Sequence, residues 1–175
     1  MIPKTDIIYN YEYAKRLYQG EPDKLADAWQ NLVASGEVFE AVFEQAIDKI
    51  LKAIPEITGY EWTLEKGFLP VYLIMDGESF LEPLTLAVST DPEQTLYDLI
   101  KILVGSNIKT GFVNDQTRDQ ILQNIISNVI RSAGLDLIDA MSDEDLNLRE
   151  KYEVDYQMSD LDLQICPLKH YLEAK

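Results

Sequence analysis

His170 is the only imidazole in the 175-residue chain and Cys166 the only thiol, and the two stand four residues apart. On a helix that spacing brings a thiol and a base together, the start of a nucleophilic Cys–His pair. Such a pair also needs an orienting group and an oxyanion hole, and Pro167 interrupts the segment between them. Cys166 therefore reads as a packed thiol and His170 as a surface residue. A single histidine also excludes metal sites built on two or more imidazoles. Carboxylates are the other chemical resource. Glu40, Glu44 and Asp48 recur every four residues, so a helix would place all three on one face, as metal or acid–base chemistry requires. With Lys49 and Lys52 close by, the expected reading is a solvated helix face. Asp136, Asp139, Asp143, Glu144 and Asp145 form a second acidic group that a hard divalent cation could visit. Carboxylates at a helix start, where the dipole favours them, account for it.

Three segments resemble known loops and fail on their spacing. Gly105-Ser106-Asn107-Ile108-Lys109-Thr110-Gly111 has the residues of a phosphate loop, but Lys109 and Thr110 precede the second glycine and the segment follows a helix. Gly77-Glu78-Ser79-Phe80-Leu81 lacks the closing glycine of a nucleophile elbow. Asp143-Glu144-Asp145-Leu146-Asn147-Leu148 opens like a calcium loop, yet it has leucine at the sharp turn and Val154 in place of the bidentate glutamate. No catalytic, cofactor-binding or metal-ligating residue is assigned from the sequence.

Phe68 to about Ala133, including LPVYLIMDGESFLEPLTLAVSTDPEQTLYDLIKILVGSNI, resembles the core of zincin-like metallopeptidases in the order of its elements: strand, edge strand, helix, second long helix. In that family the first helix carries His-Glu-x-x-His, two zinc-binding imidazoles one turn apart with a glutamate that activates water. Here the equivalent residues are Lys101-Ile102-Leu103-Val104-Gly105. The resemblance thus implies a zincin-like core without zinc hydrolysis, an inactive relative kept for binding or structure.

The elements that must position these residues follow from periodicity. Tyr13, Ala14, Leu17 and Tyr18 predict a helix ending at Gly20, and Leu25, Ala28, Trp29, Leu32 and Val33 a second that stops at Gly36. A third stripe, from Val38 and Phe39 through Val42, Phe43, Ala46, Ile47, Ile50 and Leu51 to Ile54, is closed by Pro55. Strands are predicted near 68–75, running into the turn dipeptide Asp76-Gly77, near 84–89, and near 152–158, where Tyr152, Val154, Tyr156 and Met158 alternate with polar residues. Pro70 must sit at a strand start or on an edge, since it lacks an N–H. Asp91 with Pro92 and Gln94 starts a helix whose buried face is Leu96, Leu99, Ile100, Leu103 and Val104. Ile121, Leu122, Ile125, Ile126, Val129, Ile130 and Ala133 form the most regular helix and end at Gly134. Ser142 caps a short helix through Arg149. The fold class is α+β, predominantly helical with a small sheet, in one domain over 1–175: a helical part (1–59), a strand-strand-helix-helix core (60–135) and an acidic C-terminal part (136–175).

Hydrophobic residues make up 46% of the chain, enough to fold despite a net charge of −16. That charge is spread: 6 basic and 10 acidic groups in 1–59, 5 and 10 in 60–135, 4 and 11 in 136–175. It repels nucleic acids and anionic membranes, and no apolar run spans a bilayer. The lack of a disulfide pair and of a signal-peptide core points to the cytoplasm. The sequence predicts a non-catalytic acidic protein, without a cofactor, acting through protein–protein contacts with a partner or a second copy. Two alternatives stay open. One is an enzyme or small-molecule binder using carboxylates and tyrosines, with Asp98, Asp115, Asp119, Asp136 and Asp139 as the aspartates to place. The other is an acidic mimic of nucleic acid.

Overall fold

The computed structural model describes residues 2–62, 67–108 and 115–147. Strand β1 (Lys4–Ile8) is followed by helix α1 (Tyr11–Leu17), a 3-10 turn at Pro22–Lys24 and helix α2 (Leu25–Thr58). Strands β2 (Phe68–Ile74) and β3 (Thr85–Ala87) then precede helices α3 (Pro92–Asn107) and α4 (Asp115–Ser132). The sheet has the order β1-β2-β3 with both pairs parallel, so the architecture is α+β, predominantly helical, with one small parallel sheet. Among the described residues no helix is long and apolar enough to cross a membrane.

Strand alternation sorts the sheet into two faces. Ile7, Leu69, Val71, Leu73 and Leu86 point into a core shared with the buried stripes of α2, α3 and α4. The apolar face of α2 carries Leu32, Phe39, Phe43, Ile47, Ile50 and Ile54, and α4 packs on both α2 and α3. Each fully buried Leu or Ile contributes roughly 2 kcal/mol of gross burial energy. The opposite sheet face is covered at one end by α1, where Tyr13 packs on Tyr72 at 5.1 Å between ring centres and its hydroxyl shares a 2.7 Å hydrogen bond with that of Thr85.

The N-terminal third departs most from expectation. Gly36 and Pro55 do not end helices; one helix of 34 residues runs through both. Gly36 is buried because the Tyr9 ring lies across it, and a Cβ there would fall 2.8 Å from Tyr9 and 3.0 Å from Leu73. Its glycine permits a close approach rather than a turn. Pro55 has no amide to offer the Leu51 carbonyl one turn back. The indole N–H of Trp62 donates to that carbonyl instead, at 2.8 Å, and the helix continues to a left-handed cap at Gly59. Val38, expected in the apolar stripe, is 56% exposed, because the stripe passes through Gly36 and Phe39 on either side of it.

Strand β1 is absent from the sequence prediction. Lys4-Thr5-Asp6 has the polar composition of a loop, which is also the composition of an edge strand. Two of the three expected strands are present, the one near 68–75 shorter by one residue and the one near 84–89 reduced to three residues. Pro70 sits in the central strand, but the ladder resolves the conflict. Tyr72 N–H donates to Leu84 O, so Pro70, of the same parity, faces β3's side of the sheet at a level where β3 has not begun. Gly77 turns the chain with φ 98°, and β3 returns parallel to β2 rather than as a hairpin. Asp91 caps α3 through Glu93 N–H at 2.9 Å, while its own N–H goes to Ser89 Oγ at 3.1 Å, the role expected of Gln94. Ser142 Oγ accepts from Asp145 N–H at 3.1 Å and starts a helical turn at 143–147. The strand expected at 152–158 lies outside the described residues.

Candidate functional site

Among the described residues, the aspartates and loops that the sequence singles out do not converge. Among the described residues no three His, Cys, Asp or Glu side chains stand together so as to hold a metal ion. Asp136, Asp139, Asp143 and Glu144 are exposed, while Asp145 is buried and engaged, accepting from Lys101 Nζ at 3.1 Å and from Ser142 Oγ at 3.0 Å. A cavity of ≈ 160 Å³ at the end of α4 is lined by Asp136 together with Arg131, Ile138 and Met141, and none of Asp98, Asp119 and Asp139 reaches it. The side chain of Asp115, and all of Cys166, His170 and Lys109–Gly111, lie outside the described residues. Ser79 spends its oxygen accepting from Ala87 N–H at 2.9 Å, stitching its loop to β3.

One polar cluster does form, between α3, α4 and the 143–147 turn. Tyr97 is 1% exposed and its hydroxyl pairs with Gln123, with burial pushing its ionisation well above the usual range. Lys101 lies 5.5 Å from the Tyr97 ring centre while holding Asp145. Burial also raises Asp98, an effect that Gln94 and Lys101 oppose. This cluster fastens the last described turn onto α3. Lys101 and Gly105, at the positions where the metallopeptidase motif would hold its imidazoles, stand on the exposed side of α3, and Lys101 is engaged in that fastening.

The arrangement with room for a partner lies at the other side of the sheet. Lys4 N–H donates to Gly67 O at 2.8 Å, so in this parallel ladder Lys4, Asp6 and Ile8 turn their backbone groups toward β2. Thr5 and Ile7 therefore turn theirs outward. Among the described residues nothing bonds to them, which leaves two amides and two carbonyls along the outer edge of β1. Beside that edge runs an open groove of ≈ 330 Å³ between β1 and α2. Phe43 and Ile47, both buried, contribute its apolar floor with Ile7. Its charged wall is Glu40, Glu44 and Asp48 of α2, and Lys4 and Asp6 border it from β1.

The three carboxylates every fourth residue share one face as the sequence predicts, with Glu44 and Asp48 exposed, and that face is also the wall of a groove. Among the described residues neither Lys49 nor Lys52 forms an ion pair with them. The groove's end is fixed by Tyr9, whose hydroxyl donates to Glu40 Oε2 at 3.3 Å while its ring packs on Gly36. Burial, with Glu40 and Glu37 nearby, pushes the Tyr9 phenol up to about 12, so it remains a donor at any physiological pH. The strand edge itself could have been found from Lys4-Thr5-Asp6-Ile7, whose alternation is the one signal available. Comparison with protein-family models, with characterised proteins and with solved structures gives no match.

Proposed function

We propose that this protein is a non-catalytic domain that acts through protein contacts, using the outer edge of β1 and the adjoining groove to bind an extended segment by strand addition. The observation that carries this reading is the outward-facing backbone of Thr5 and Ile7 directly beside a groove with an apolar floor. An added strand gains its affinity from such main-chain groups, and the floor supplies contacts for alternate side chains. Proteins usually blunt an exposed edge with charge, and Lys4 and Asp6 do that here on the sheet's other face. A −16 chain has little attraction for nucleic acid or anionic membranes, which leaves proteins as the partner class. The resemblance to an inactive zincin-like core is compatible with a binding role, and a cytoplasmic location fits the single cysteine.

A display library of random heptapeptides selected on the full chain tests the reading, with Thr5→Pro as the control. Proline at position 5 deletes an outward amide and leaves the ladder to β2 intact, so folding and melting should be retained. Selected peptides should lose most of their affinity for Thr5→Pro. Recovery of no binder, or of binders indifferent to that substitution, contradicts strand addition at this edge.

A further inference from the structure

Resting on that reading, we infer that the groove's occupant is an extended segment with Lys or Arg at every second position. The strand edge makes the site, and the carboxylates beside it select the occupant. Glu40, Glu44 and Asp48 line the groove one turn apart along α2, so they advance by about 6 Å per step. Alternate residues of an extended chain advance by roughly 6.6–6.8 Å. The two repeats stay in register over the two steps between these three carboxylates, within the reach of a flexible side chain. Lys and Arg also suit the floor, since their aliphatic stems can lie over Phe43 and Ile47 while their charged heads reach the carboxylates. A neutral apolar side chain would cover the floor and leave the wall without counter-charge.

Charge also decides against the occupants this chain could itself supply. A second copy brings the same net charge of −16 and the same acidic groove. Residues 148–175 hold 4 basic and 6 acidic groups; Arg149 and Lys151 alternate, but Glu153 and Asp155 follow at the same spacing, so three alternate positions there that include both cations also include Glu153. Either would set carboxylate against carboxylate along Glu40, Glu44 and Asp48. A basic partner segment is the complementary one.

The experiment uses the full chain and four capped heptapeptides: lysine alternating with threonine, glutamate alternating with threonine, all-neutral serine and threonine, and the lysine peptide rearranged so that its lysines are consecutive. Affinity is read by calorimetry and location by the amide resonances of Thr5 and Ile7. The alternating lysine peptide should shift both amides and bind at least about tenfold tighter than the other three. That factor compounds roughly twofold for each of three exposed ion pairs. It should fall by a similar factor when Glu40→Gln, Glu44→Gln and Asp48→Asn are combined. Equal binding of the glutamate or neutral peptide, with both amides shifted, overturns the basic occupant and leaves strand addition standing. Equal binding of the consecutive-lysine peptide also overturns it, because spacing then plays no part. If no peptide moves Thr5 or Ile7, or if both amides are already protected from exchange in the free protein, strand addition itself fails.

Discussion

A single missing hydrogen shapes the end of the longest helix. Pro55 cannot satisfy the Leu51 carbonyl, and the Trp62 indole does so from beyond the helix end. Removing that donor with Trp62→Phe should cost about 1–3 kcal/mol, because a partly buried acceptor is stranded. In a Pro55→Ala background the alanine amide takes over the carbonyl, so the same change should cost about 1 kcal/mol less. Chemical denaturation of the four-member cycle measures the coupling, and strict additivity would contradict the assignment. Tyr9 gives a second test at this scale. Its folded-state value is pushed up to about 12 from an ordinary 10, so between those pH values the unfolded chain releases a proton that the folded one retains. Stability should fall as pH rises through that window, and Tyr9→Phe should flatten that part of the curve. Asp98 is likewise raised by burial, so its carboxylate is least comfortable in the folded state above its folded value. Stability from this group therefore grows as pH falls through that value, and Asp98→Asn should be neutral or stabilising at pH ~7. These roles were only partly legible from residue types. Pro55 announced a break, and nothing in the sequence says that a tryptophan seven residues later repairs it.

Two glycines in helices show how an element's context reverses a propensity. Gly105 in α3 is exposed, with nothing within 4 Å of an added Cβ. Gly105→Ala should therefore stabilise by about 0.5–1 kcal/mol. Gly36 has the same propensity deficit but lies under Tyr9 and against Leu73. Gly36→Ala should destabilise by about 1 kcal/mol net, since overpacking outweighs the propensity gain, and it should displace Tyr9 from Glu40. Thermal melts of the two variants should move in opposite directions. At this scale the sequence was informative about helices, whose buried stripes in α2, α3 and α4 follow the predicted period. It placed β2 and β3 as well, because β-branched and aromatic residues concentrate there. It missed β1, because a five-residue edge strand that exposes Lys4 and Asp6 is built to look like a loop. It also divided α2 at Gly36, since a helix-breaking residue and a close-packing residue are the same amino acid.

For the whole molecule, the acidic surplus acquires a location. The expectation of dispersed charge is correct in composition, yet three carboxylates of α2 form one wall of a groove along an unpaired strand edge. The periodicity of Glu40, Glu44 and Asp48 was visible in the chain, but the strand opposite was not, so the groove could be read only once β1 was in place. Amide hydrogen exchange on the free, full-length protein tests that arrangement most directly. Asp6 and Ile8, whose N–H groups face β2, should be protected, while Thr5 and Ile7 between them should exchange at close to the rate of unstructured chain. Protection of all four to the same degree would show the edge to be already occupied and would contradict an open docking strand.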